Sequence, residues 1–175
     1  MKRIDFYLDF VSPYAYLAFE QLPKALEGLS YQVAYRPVLL AGLLWQQGQR
    51  DPAPARGKRA WAARHTAWLA QTHGIPFQMP AKHPFNPLPL LRLALACASQ
   101  GSPNRFQCEA IFRHVWQEGA AADDLDRIAP LAAQLKPPRD PDSEEIKAQL
   151  RTATEQAIQA GVFGVPTMVV DGELF

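Results

Sequence analysis

The strongest constraint on the fold lies in the first 38 residues. Ile4 to Phe10 alternate β-branched and aromatic side chains as a strand does, a helical pattern begins at Tyr14, and "YQVAYRPV" (Tyr31 to Val38) reads as a strand again. The chain therefore starts β-α-β, and the turn from strand into helix is short. It contains Ser12 and Pro13, a side-chain oxygen at N-cap followed by proline at N1, which is what helix capping asks for.

From Leu39 to Leu135 the pattern is helical. "GKRAWAARHTAWLAQTHG" ends at Gly74, "NPLPLLRLALACASQG" begins at Asn86 and ends at Gly101, and "NRFQCEAIFRHVWQEG" ends at Gly119. A last helix from about Ser143 to Ala160 closes at Gly161, after which "PTMVV" is a strand and Asp171-Gly172 a hairpin turn. This order predicts an α/β, thioredoxin-like fold with a large all-helical insertion: residues 1–38 and 143–175 form the thioredoxin-like part, and 39–142 the inserted helical domain. Phe175 falls two or three residues into the second strand of the hairpin, so the expectation is a natural chain that continues into a last strand and a closing helix. The Pro-rich pieces "RDPAPARG" and "KPPRDPDS" read as surface connections.

Composition narrows the function classes. A net charge of +1 with mixed signs along 175 residues gives no basic face for nucleic acid and no acidic block for disorder, which leaves a small molecule or a protein as partner. Asp5 and Asp9 interrupt any signal-peptide core, and no run of about 18 apolar residues exists to span a membrane. A cytoplasmic protein is expected. The two cysteines, Cys97 and Cys108, form no C-x-x-C pair, and Cys97 within "LLRLALACA" reads as a small buried hydrophobe rather than a reactive thiol or half of a disulfide. His65, His73, His83 and His114 have no second ligand at metal spacing, so no metal is expected. Trp45, Trp61, Trp68 and Trp116 read as core or pocket wall.

A second motif changes the weight of Ser12. "GVPT", Gly164 to Thr167, puts Pro166 at the mouth of a strand, where thioredoxin-like folds hold a cis-proline beside their redox site. With it, "DFYLDFVSPYAYLA", "FNPLPLLR" and "AGVFGVPTMVVDGELF" resemble the 2-hydroxychromene-2-carboxylate isomerases, relatives of the kappa-class glutathione transferases within the DsbA-like group. The resemblance implies glutathione as cofactor. Ser12 would take the place of the first thioredoxin cysteine and face the glutathione sulfur. Val165, before Pro166, would offer its backbone to the cysteinyl part of glutathione. Lys58 and Gln49, the latter where Asn is usual, would lie near the glutathione or substrate carboxylates. Asn86 and Phe85 would line the substrate side. Phe10 and Trp45 would add apolar wall for an aromatic ring. Family members continue past this hairpin with a Trp-Gly and an Asp that hold the γ-glutamyl end.

The activity so implied is a glutathione-dependent isomerisation of 2-hydroxychromene-2-carboxylate, or a similar aromatic degradation intermediate, to trans-o-hydroxybenzylidenepyruvate. The partners are glutathione and a small aromatic substrate, with a homodimer as a candidate assembly. A kappa-like glutathione transferase and a non-catalytic DsbA-like binding protein are the alternatives. A dithiol oxidoreductase is not, because "SPYA" carries no sulfur.

Overall fold

The computed structural model describes residues 1–49, 56–99 and 101–175. β1 (Lys2–Leu8) leads through α1 (Pro13–Ala25) to β2 (Tyr31–Pro37), and the two strands pair in parallel with Phe6 opposite Tyr35. β1 stops two residues before the sequence pattern does, because Asp9 and Phe10 enter a turn closed by the Ser12 N–H on the Asp9 carbonyl at 3.1 Å. Within β1, alternation buries Ile4, Phe6 and Leu8 on one face and leaves Asp5 and Tyr7 half-buried on the other.

Five helices follow: α2 (Leu40–Gln46), α3 (Arg56–His73), α4 (Leu88–Cys97), α5 (Arg105–Trp116) and α6 (Leu125–Leu135). α4 starts two residues later than its sequence pattern. Its N-cap is Pro87, and the Asn86 side chain accepts from the Leu88 N–H at 3.2 Å as a local turn rather than as the cap. α5 opens on a reciprocal capping box between Asn104 and Gln107. α6 closes the helical stretch that the sequence marks through Leu135, capped by the Asp124 side chain and ended by Lys136 in the left-handed region at φ 47°.

The chain returns through α7 (Glu144–Gln159), whose N-cap Ser143 accepts from the Ile146 N–H. β3 (Thr167–Val170) then runs antiparallel to β1, and β4 (Glu173–Leu174) antiparallel to β3, giving the sheet order β2-β1-β3-β4. The expected β-α-β start and α-β-β finish are both present.

Sheet and helices share one core. Phe6, Phe10, Tyr16 and Phe19 pack in a single cluster with Phe112 and Trp116 of α5. Phe10 meets Phe112 edge-on with ring centroids 4.8 Å apart, and the Trp116 indole N–H donates to the Phe10 carbonyl at 3.0 Å. Each such ring contributes about 1.5–3 kcal/mol by leaving water, so this contact ties α5 firmly beneath the start of α1.

Candidate active site

Ser12 occupies the N-cap of α1 with extended backbone, φ −90° and ψ 115°. Its hydroxyl oxygen accepts from the Ala15 N–H at 3.2 Å and donates to the carbonyl of Val165 at 3.4 Å. Two segments separated by 153 positions in sequence thus meet at one oxygen. Pro13 has no N–H and Ala15 is capped, so the Tyr14 N–H is a first-turn donor with no partner among the described residues. The first turn also carries no acidic side chain. Together these leave the positive end of the α1 dipole uncompensated at Ser12.

The facing loop is held from both sides. The Val165–Pro166 peptide bond is cis, and Thr167 Oγ1 donates to the Gly164 carbonyl at 2.8 Å. Gln47, the C-cap of α2, donates from Nε2 to the Phe163 carbonyl. Among the described residues nothing accepts the Val165 N–H, and the residue is only half-buried. The result is a short, partly exposed backbone edge beside a capped helix end.

Two titratable groups, one buried and one half-buried, support the Ser12 turn, and neither stood out by residue type. Asp9 is fully buried; its two oxygens accept from the Val11 N–H at 3.1 Å and the Leu40 N–H at 2.8 Å. Burial pushes this carboxyl up to about 7 against the pull of those two amides. His83 Nε2 lies 2.8 Å from the Val11 carbonyl. A carbonyl only accepts, so Nε2 carries the proton, and burial holds the imidazole below its ordinary value. One turn further on, Tyr14 Oη and His65 Nδ1 share a hydrogen bond of 2.9 Å, and His65 stacks between Trp61 and Trp68 of α3. For Asp9 the available signal was an acid closing an apolar strand three residues before a helix cap.

The remaining sequence candidates divide by burial. Phe10, expected on the substrate side, is fully buried against Phe112, because the turn after β1 aims its ring into the core rather than outward. Phe85 is likewise buried at 5% exposure, and it belongs to the same core cluster. Asn86 is exposed, with its backbone N–H on Asp123 Oδ2 at 3.1 Å. Trp45 is 63% exposed on α2. Gln49 and Lys58 are exposed on either side of residues 50–55, and among the described residues neither side chain makes a hydrogen bond or ion pair. Of the other tryptophans expected as core or wall, Trp116 is core, whereas Trp61 and Trp68 are more than half exposed. Cys97 is buried, as its apolar run predicted, and so is Cys108; burial lifts the Cys97 thiol to about 11 and the Cys108 thiol further. His114 is buried on the Ala122 carbonyl at 3.0 Å.

Several known proteins resemble this chain over nearly its whole length. A 2-hydroxychromene-2-carboxylate isomerase from Sphingobium xenophagum is 27% identical over 186 residues, covering 99% of this chain and 91% of that one. Glutathione S-transferase kappa 1 from Rattus norvegicus is 25% identical over 192 residues, covering 99% of this chain and 84% of that protein. Among solved structures, a 2-hydroxychromene-2-carboxylate isomerase superposes with a TM-score of 0.83 at 26% identity, over 99% of this chain and 87% of that one. The cytosolic disulfide reductase DsbM from Pseudomonas aeruginosa, solved with GSH, shares the fold at TM-score 0.65 and 18% identity, over 99% of this chain and 88% of that one. No helix among the described residues is long and apolar enough to cross a membrane. The model of the DSBA-like thioredoxin domain matches residues 3–175, and with nearly the whole length inside it the chain belongs to the DsbA-like thioredoxin family.

Proposed function

We propose that this chain is a glutathione-dependent isomerase acting on a 2-hydroxychromene-2-carboxylate-like aromatic compound, with Ser12 as its catalytic residue. The observation that carries the reading is the meeting of the Ser12 hydroxyl with the Val165 backbone at 3.4 Å on an uncompensated helix N-terminus. A thiolate beside that end gains the dipole, the unpartnered Tyr14 N–H and the Ser12 hydroxyl, whose hydrogen turns from the Val165 carbonyl to the sulfur. The Val165 N–H and C=O then pair with the cysteinyl backbone of glutathione. Lys58 and Gln49 reach toward its carboxylates, while Asn86 and Trp45 meet the substrate.

The chemistry needs no net consumption of the thiol. The ring C–O bond of the hemiketal breaks to give the phenol and an α-keto acid conjugated with a cis double bond. The thiolate adds to that double bond, forming a C–S bond, and the displaced π pair moves to the keto oxygen as an enolate, leaving a single bond. Rotation follows, the C–S bond breaks, and the electron pair returns to sulfur as the trans double bond forms. Splitting the isomerisation this way replaces a prohibited rotation by two feasible steps. The relatives named as kappa-class transferases favour one second reading, in which the same Ser12 serves conjugation of an electrophile and the thioether is kept.

The test is product analysis with stoichiometry. Purified protein is incubated with 2-hydroxychromene-2-carboxylate and catalytic glutathione, and trans-o-hydroxybenzylidenepyruvate and residual thiol are both measured. Many turnovers per glutathione support isomerisation; one thiol lost per turnover indicates transfer. Turnover that is the same with and without glutathione would exclude both.

A further inference from the structure

The buried carboxylate of Asp9 has a role that its own strand does not explain. A carboxylate shut away from water needs its lone pairs taken up, and Asp9 achieves this with two amides from different elements. Val11 belongs to the turn that delivers Ser12. Leu40 is the first residue of α2, whose N-cap, Leu39, has no side-chain acceptor for the orphaned N–H groups of a helix start. α2 is capped instead from outside, by Thr154 Oγ1 on the Leu39 N–H at 3.0 Å and by Asp9 on the Leu40 N–H at 2.8 Å. At the other end of α2, Gln47 holds the Phe163 carbonyl, two residues before Val165. The links close a ring: Ser12 turn, Asp9, α2, Gln47, the 163–166 loop, and back to Ser12 through the Val165 carbonyl.

We propose that Asp9 is the positioning residue of this site, a buried clamp that locks the Ser12 turn to α2 and, through α2 and Gln47, sets the gap between the Ser12 hydroxyl and the Val165 backbone edge. What is positioned rests on the glutathione reading above; the clamp itself does not. Only the ionised carboxylate accepts at both oxygens without also having to donate, so protonation weakens one arm. Burial places that change in the neutral range. The partners of Asp9 add no charge: both are backbone amides, Val11 on its own turn and Leu40 at the start of α2, and no charged side chain contributes to its shift. His83, from the loop ahead of α4, is the titratable group that bonds to this turn, and burial holds its imidazole below the ordinary value.

Two measurements test the clamp, both on the whole chain. In ¹⁵N-labelled protein the Val11 and Leu40 amides should titrate with one common midpoint between about pH 6.5 and about 8, because one carboxylate serves both. Separate midpoints, or no titration of either, overturn the proposal without any variant being made. Calorimetry with S-methylglutathione, whose sulfur cannot ionise, reads the consequence. Affinity should rise several-fold across that window in the wild type, be flat and about tenfold weaker in Asp9→Asn, and be no weaker in Asp9→Asn/Gln47→Ala than in Asp9→Asn alone. A flat wild-type profile, or losses that multiply in the double variant, contradict it. Wild-type protein that binds neither glutathione nor its S-methyl derivative refutes the glutathione reading instead, and the amide titration then judges the clamp by itself.

Discussion

Sulfur and oxygen nucleophiles sit in two regions of this molecule, and the more reactive element is in the less reactive place. Cys97 and Cys108, on α4 and α5, are enclosed by apolar neighbours, and burial lifts the Cys97 thiol to about 11. Ser12 stands at a helix N-terminus beside an open backbone edge. The lesson is that the position decides the chemistry: a thiolate is favoured where helix N–H groups point and disfavoured where carbon surrounds it. In this chain the favourable position holds a hydroxyl, which can serve a sulfur brought by a ligand.

Exchanging the residue types sharpens that contrast most. A thiol introduced by Ser12→Cys should react with iodoacetamide at neutral pH on the order of 10³ times faster than Cys97, whose value of about 11 leaves almost no thiolate. Equal alkylation rates followed by mass spectrometry would erase the difference between the regions.

A comparable effect is expected from the buried acid beneath Ser12. Asp9 rises from 3.8 to about 7 on folding, so the folded state binds the extra proton between those values and the unfolded state does not. From this group, stability is therefore greatest in acid, falls as pH rises from about 4 to about 7, and is constant above, a total of at most about 4 kcal/mol. Urea midpoints at several pH values should show this decline in wild type and lose it in Asp9→Asn; parallel curves would show that the carboxyl is not isolated as described.

Single truncations in the two regions should then dissociate stability from function. Ser12→Ala loses an N-cap, about 0.5–2 kcal/mol, yet should lower turnover about 10²-fold. Cys108→Ala leaves a small void in the core, costs about 1–2 kcal/mol, and should leave turnover unchanged. Matching losses of turnover in both would make Ser12 a matter of stability alone.

How much of this was readable beforehand follows the same division. Local signals carried the capped start of α1, the β-α-β and α-β-β ends, and the burial of Cys97, since each depends on a few neighbouring residues. The placement of Phe10 and Phe85 did not follow, because a ring at the end of a strand or in a loop can face the core or the solvent; Phe10 packs against Phe112 of α5, and Phe85 joins the same core cluster. Trp61 and Trp68 are more than half exposed and stack on His65 of their own helix, because a large apolar side chain invites burial but the face of the helix it lies on decides it. Asp9 was invisible as a clamp, since its second partner, Leu40, lies on another element 31 residues away.

The central claim, that the α1 N-terminus and Ser12 stabilise a ligand thiolate, is tested most directly by the acidity of bound glutathione. A spectroscopic pH titration near 240 nm should place the bound thiol at least about one unit below the value of about 8.5 typical of a free thiol, equivalent to about 1.4 kcal/mol or more of preference for the thiolate. Ser12→Ala should move it part of the way back, the helix N–H groups retaining the rest. A bound thiol that titrates with free glutathione in both proteins would contradict the account and leave Ser12 as a helix cap.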